Sequence, residues 1–315
     1  MTIDGGDVLA LLGAIALAAA GGELFLKGVL GAAEWLRLPK LLVATTLAAF
    51  ATSSPELTVS TMAALSGQPE IGLGDALGSN VVNLALIMGL ALLFGPLPAT
   101  FTDVRRDFLL ALFVPSMTLL LAWDGRLSRA DGLALLCVFL LWVATLIRQA
   151  YQHRLDNPPG QAIDAQPFST LLFAVVGITC LLLSGRLFVS GAGGIATALG
   201  IHSYVIGATV VAIGTSLPEL VTTLLSRRRG HDDIGLGTLL GSNLFNGLAI
   251  VGLAASINPV RAPVQEIAIT LIVGFFSVLF ILPRGAGVPR WRAVVLLATY
   301  AAYIATTARM ATFFR

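Results

Sequence analysis

Two stretches decide the fold: Ala51-Thr52-Ser53-Ser54-Pro55-Glu56 and Gly214-Thr215-Ser216-Leu217-Pro218-Glu219. Each sets a carboxylate inside a long apolar run, and the two glutamates stand 163 positions apart. Shifting the chain by that distance aligns Leu38–Leu90 with Ile201–Leu253 without a gap, and 20 of the 53 aligned pairs are identical. The shared residues include Thr52/Thr215, Ser53/Ser216, Pro55/Pro218 and Glu56/Glu219. They also include Gly78/Gly241, Ser79/Ser242, Asn80/Asn243, Asn83/Asn246 and Gly89/Gly252. A weaker match extends upstream through Gly22/Gly185, Leu24/Leu187, Phe25/Phe188 and Gly28/Gly191. A duplication kept for packing would preserve small and apolar residues. This one preserves Glu, Asn, Ser and Thr within apolar helices, which points to function.

The rest of the chain is a membrane sequence. Of its 315 residues 57% are hydrophobic and 11% charged, with a mean hydropathy of +0.90. A soluble domain carries roughly 25% charged residues. The length accommodates about ten crossings of ~20 residues. Apolar runs predict spans at 8–33, 40–66, 71–94, 107–122, 130–151, 168–196, 203–226, 233–256, 264–282 and 291–309. Gly, Pro and charged residues fill the breaks. The predicted fold is an all-α membrane protein of ten transmembrane helices. Residues 1–151 and 168–315 form the two halves, joined by a short cytoplasmic linker at 152–167. Five spans per half is an odd number, so the second half enters the membrane inverted. Many secondary transporters use such repeats, with the substrate at the repeat interface. Lys and Arg favour one set of connections 12 to 5, which places both termini outside an inner membrane. The N-terminus lacks the basic region of a cleaved signal, so the first helix is expected to be retained.

The chemistry rests on oxygen. Glu56 and Glu219 lie deep in predicted spans, where a carboxylate costs several kcal/mol unless paired or wetted. Pro55 and Pro218 lack an N–H, which should loosen the helix and free carbonyls at Ala51–Thr52 and Gly214–Thr215. Ser79 and Asn83 are four residues apart and share a helix face, as do Ser242 and Asn246. Such groups suit hard ions: Na⁺, Ca²⁺, K⁺ or H⁺. The three histidines lie at span ends or in loops, and no transition-metal cluster is apparent. Cys137 and Cys180 read as small buried hydrophobes. A net charge of +2, scattered arginines, and the lack of a Walker loop, dinucleotide fingerprint or catalytic triad argue against nucleic acid, nucleotide or enzymatic chemistry. No cofactor is expected. The partners are inorganic cations and the bilayer, and a monomer is compatible with this reading. Glu23 and Arg186, at equivalent places, are weighed as a gating ion pair against simple snorkelling. Arg227-Arg228-Arg229 reads as a positive-inside anchor, and Asp75 as solvated.

With these residues in place, the chain resembles the cation/Ca²⁺ antiporter superfamily, in particular the short prokaryotic sodium/calcium exchangers. The resemblance is strongest over 46–90 and 209–253, where Thr-Ser-x-Pro-Glu-Leu and Gly-Ser-Asn-x-x-Asn each occur twice. It implies eight core helices, with the first and sixth, long and tilted, sliding across them. It also implies that Glu56 and Glu219 are the central Ca²⁺ ligands. Ser53, Ser216, Ser79 and Ser242 would supply hydroxyls. Thr52, Thr215, Ala49 and Ala212 would supply backbone carbonyls, and Asn83 and Asn246 would complete the site. One departure stands out: archaeal members that exchange Na⁺ for Ca²⁺ carry an acid where this chain has Asn246. The expected activity is Na⁺-driven Ca²⁺ export by antiport. The alternatives are proton-coupled antiport and, further off, a passive channel or an intramembrane protease.

Overall fold

The computed structural model describes residues 4–157, 166–199, 210, 212–285 and 287–313. Among them the chain is almost wholly helical. Helix α1 spans Gly5–Leu36, α2 Lys40–Thr52, α3 Ser54–Leu65, α4 Pro69–Leu93, α5 Phe101–Leu121 and α6 Arg129–Asp156. Helix α7 spans Pro167–Ala198, α8 Ala212–Thr215, α9 Leu217–Arg228, α10 Asp232–Ile257, α11 Val264–Phe280 and α12 Arg292–Phe313. Five of these, α1, α4, α6, α7 and α10, are long and apolar enough to cross a membrane. The linker's centre and the start of the span expected at 203–226 lie outside the described residues.

Burial sorts the helices by role. In α4 and α10, 72% and 83% of the apolar window is buried, against 22% in α1, α6 and α7. The two central helices are those that carry Ser79/Asn83 and Ser242/Asn246. Around them lies one continuous apolar core that includes Leu84, Met88, Phe108, Leu135, Leu240, Leu244 and Leu248. A second cluster, with Phe25, Val29, Ala48 and Leu181, joins α1 and α7 to α2.

The two 32-residue helices, α1 and α7, pack along each other. Small residues make this possible: a Cβ on Gly28 would stand 2.5 Å from the Ala174 nitrogen, and one on Gly177 would strike the backbone of Phe25. In lipid, where apolar surface gives little drive for association, such backbone approach is what holds helices together.

Two short antiparallel ribbons tie the halves at their ends. Strand β1 (Leu97–Pro98) pairs with β4 (Gly287–Val288), and β2 (Arg126–Leu127) pairs with β3 (Val260–Arg261). Each ribbon takes one strand from each half. Charged side chains add further ties between connections. Arg227 binds Asp232 at 2.6 Å and the Pro96 carbonyl at 2.5 Å, and Arg154 binds the Leu36 carbonyl at 2.7 Å. Within the first half, buried Asp107 accepts from Arg106 and from the Trp142 indole, both at 2.8 Å, which fastens α5 to α6.

Several expectations are corrected. The run 40–66 is two helices that meet at Ser53, because Pro55 sits in the first turn of α3, where its missing N–H leaves no gap in the ladder. The Ala51 carbonyl is not left free: the Ser54 hydroxyl donates to it at 2.6 Å. Of the two readings weighed for Glu23 and Arg186, the ion pair is not formed: Glu23 pairs with Arg229 at 2.7 Å and Lys27 at 3.8 Å. Arg227 is an internal brace, its side chain 9% exposed, rather than a free anchor. Cys137 is exposed and Cys180 only half-buried. Gly177→Leu should force α1 and α7 apart and cost about 1–3 kcal/mol. The check is a fall in melting temperature in detergent, against Gly74→Leu, where an added side chain meets open space.

Candidate cation site

Ser53 and Ser216 each end one helix and precede the next, with φ/ψ of −84°/8° and −85°/13°. The two halves thus make the same break in the same conformation. Each places a glutamate in the first turn of the following helix, Glu56 in α3 and Glu219 in α9. The exposed N–H groups of a helix start favour a negative charge there. Both glutamates are 0% exposed.

The halves then exchange partners. The Ser53 hydroxyl of the first half donates to Glu219 Oε1 at 3.3 Å, and the Ser216 hydroxyl of the second donates to Glu56 Oε1 at 3.5 Å. Ser242 adds a bond to Glu219 Oε1 at 3.1 Å and meets Thr52 Oγ1 at 3.3 Å. The arrangement is close to two-fold, but the second half's carboxylate has more donors.

Below the carboxylates, α4 and α10 cross at a clasp. The Asn80 amide donates to the Asn243 carbonyl at 3.2 Å, and the Asn243 amide donates back to the Asn80 carbonyl at 3.3 Å. Asn83 Nδ2 also donates to Asn243 Oδ1 at 3.2 Å. Immediately after, both helices widen into π turns, Val82–Ile87 and Phe245–Ile250. Such turns recur at functional positions because they re-aim a side chain within a helix. Asn83 and Asn246 lie in them.

Hydrogen bonds thus gather Ser53, Ser242 and Thr52 around Glu219 and bring Ser216 to Glu56, and Glu56, Glu219, Ser53, Ser216, Ser79, Ser242, Thr52, Asn83 and Asn246 are all buried. Thr215 is half-buried, and its hydroxyl donates to the Ala212 carbonyl at 3.1 Å. The Ala49 carbonyl accepts from Ser53 N–H at 3.0 Å and Thr52 Oγ1 at 3.3 Å, and Ala212 also accepts from Ser216 N–H at 3.3 Å. Both alanine carbonyls already hold two donors. What remains open is informative. Among the described residues, Glu56 Oε2, Glu219 Oε2, Ser79 Oγ, Asn83 Oδ1 and both terminal atoms of Asn246 are buried without a partner. Leaving one such group unsatisfied costs about 1–3 kcal/mol, more if charged. Buried oxygens without a donor are groups that a hard cation can satisfy.

A cavity of ≈ 570 Å³ abuts the two breaks, between Ser54, Pro55, Thr215 and Pro218 on one side and Gly185 and Arg186 of α7 on the other. Sequence reasoning missed two features. Asn80 and Asn243 were visible only as repeat identities, with nothing to mark them as the clasp. Asp75 is not solvated: it is half-buried in α4, and its Oδ2 is fully buried without a partner among the described residues.

The profile of the sodium/calcium exchanger protein family matches residues 7–148 and 169–308. The chain belongs to that family. It is 36% identical over 230 residues to the inner membrane protein YrbG of Escherichia coli K12, covering 70% of this chain and 71% of that one. It is 28% identical over 340 residues to the sodium/calcium exchanger MaX1 of Methanosarcina acetivorans, covering 94% and 97%. Its fold matches that of the sodium-calcium exchanger NCX_Mj with a TM-score of 0.81 at 28% identity, over 95% of this chain and 98% of that one. The protein is thus a multi-pass membrane protein and a cation antiporter of the exchanger type.

If the asparagine clasp fixes the crossing of α4 and α10, Asn80→Ala and Asn243→Ala should each lower stability by about 1–3 kcal/mol. Combining them should cost less than the sum, since both bonds serve one contact. Melting of the detergent-solubilised single and double variants measures this.

Proposed function

We propose that this antiporter exports Ca²⁺ in exchange for Na⁺ entry by alternating access, through ten helices arranged as two inverted halves, residues 1–151 and 168–315. The observation that carries the reading is the reciprocal Ser–Glu exchange between halves around two buried carboxylates, each with one oxygen unpartnered. In this reading Glu56 and Glu219 take the cation directly. Ser53, Ser216, Ser79 and Ser242 supply hydroxyls, Thr52 and Thr215 supply backbone carbonyls, and Asn83 and Asn246 supply amide oxygens. Ala49 and Ala212 then orient the threonines, since their carbonyls are already engaged.

The inverted arrangement is supported by the connections. The Lys/Arg bias assigns 95–100 and 284–290 to one membrane face and 124–128 and 258–262 to the other. Ribbon β1–β4 joins the first pair and ribbon β2–β3 the second. Arg227 to Pro96 and Arg154 to Leu36 also join connections assigned to one face. No contact described above joins connections assigned to opposite faces.

Charge accounts for obligatory exchange. The central pair carries −2 when ionised, which one Ca²⁺ or two Na⁺ neutralises. Empty and charged, the pair is costly in apolar surroundings, so a loaded site is the form that can be carried across. The long helices α1 and α7, packed through glycine on each other and less buried than the core, are suited to move as a unit over it.

Purified protein in proteoliposomes should take up ⁴⁵Ca²⁺ when a Na⁺ gradient is imposed. Uptake that follows a pH gradient and ignores Na⁺ would replace Na⁺ by H⁺ as the driving ion. Glu56→Gln and Glu219→Gln should each reduce exchange at least ~100-fold, as loss of a charged ligand of ~3 kcal/mol implies. Full flux in both variants would refute the site.

A further inference from the structure

Asp75 is the acid that the repeat does not duplicate: its counterpart 163 positions on is Thr238. It precedes Ser79 by four residues and Asn83 by eight, so the three form one stripe along α4. The helical rise puts Asp75 about 6 Å from the level of Ser79, toward the Pro69 end. Its Oδ2 is buried and, among the described residues, has no hydrogen-bond partner.

A second observation comes from the neighbouring helix. Ser60 follows Glu56 by one turn of α3, is 1% exposed, and its hydroxyl has no partner among the described residues. Its position is fixed by Gly72: a Cβ there would collide with Ser60 Oγ, so the hydroxyl lies against α4 one turn before Asp75. The unpartnered Ser60 hydroxyl thus stands about 5 Å from the Asp75 level, while Ser79, about 6 Å to the other side, lies toward the central site. Among the described residues no three His, Cys, Asp or Glu side chains gather around one point. Asp75 is therefore not a third acid on the ion between Glu56 and Glu219.

We propose that Asp75, with Ser60, forms an additional cation station between the Pro69 end of α4 and the central site, present in the first half only. The proposal rests on the antiporter reading of that central site. One carboxylate and one hydroxyl offer a single negative charge and hard oxygens. That suits a Na⁺ or Ca²⁺ that keeps part of its water. On the equivalent path of the second half Thr238 offers a neutral hydroxyl, so the two faces of the membrane load cations unequally.

The test uses Asp75→Asn and Asp75→Thr, the second installing the residue that the other half already carries. Flux is measured in proteoliposomes with Ca²⁺ or Na⁺ varied on one face at a time. In both variants the half-saturating concentration on the face where α4 begins should rise about tenfold. The other face should be unchanged, and the maximal rate should stay within about twofold. Equilibrium ⁴⁵Ca²⁺ binding to the detergent-purified protein reads the station without transport and should weaken several-fold in each variant. An unaltered isotherm, an equal shift on both faces, or loss of monodispersity in both variants would overturn the station. Absent wild-type flux with an altered isotherm would instead count against the antiporter reading alone.

Discussion

Two carboxylates with no exposure, in a chain that is only 11% charged, are the constraint around which the rest is arranged. Neither could be held there by apolar packing. Each is seated at the start of a helix, where free N–H groups favour its charge. Each also accepts a hydroxyl from the opposite half. The second point decides the architecture. A glutamate whose donor lies 160 or 166 residues away ties its own seat to the other half's fold. The two halves cannot separate without leaving buried charge bare.

The helix breaks at Ser53 and Ser216 follow from the same need. An unbroken helix would project Glu56 from its middle, with every backbone N–H already used. Placing proline two residues beyond the serine starts a new helix at no loss of hydrogen bonding. The serine that ends one helix is then free to reach across to the other half's carboxylate. The clasp of Asn80 and Asn243 does the corresponding work on α4 and α10: each amide nitrogen closes on the other helix's backbone carbonyl, which ties the two crossing helices together.

Much of this was legible in the sequence, because the repeat is literal. The 163-residue shift pairs Glu56 with Glu219 and Ser53 with Ser216 before any coordinate is known, and the hydrogen bonds depart from that shift by three residues either way. What was not legible depends on directions rather than identities. Proline inside an apolar run reads equally as a kink or a restart; only the first-turn position of Pro55 distinguishes them. Asp75 stands six residues into α4, close enough to a span end to pass for a solvated acid, and only the fold shows its oxygen turned inward. Glu23 and Arg186 occupy matching places in the repeat, yet Arg229 reaches Glu23 from a connection far along the chain. Arginine's length makes such pairings hard to anticipate from position alone.

Symmetry also has a limit that matters for exchange. If the two halves were identical, inversion would make both faces of the membrane equivalent, and the protein would load the same ions from either side with equal ease. The central residues approach that condition: glutamate, serine and asparagine match in both halves. The departures lie beside them. Glu219 accepts two hydroxyls where Glu56 accepts one, and Asp75 faces Thr238 across the repeat. The amide at Asn246 leaves two acids in the central pair, while the extra acid is proposed to lie on a single approach. A charge beside the path, rather than within the site, changes how readily a cation arrives without changing how many the centre must hold to be neutral. In the proposed reading the duplicated residues set what is bound, and the unduplicated ones set from which side.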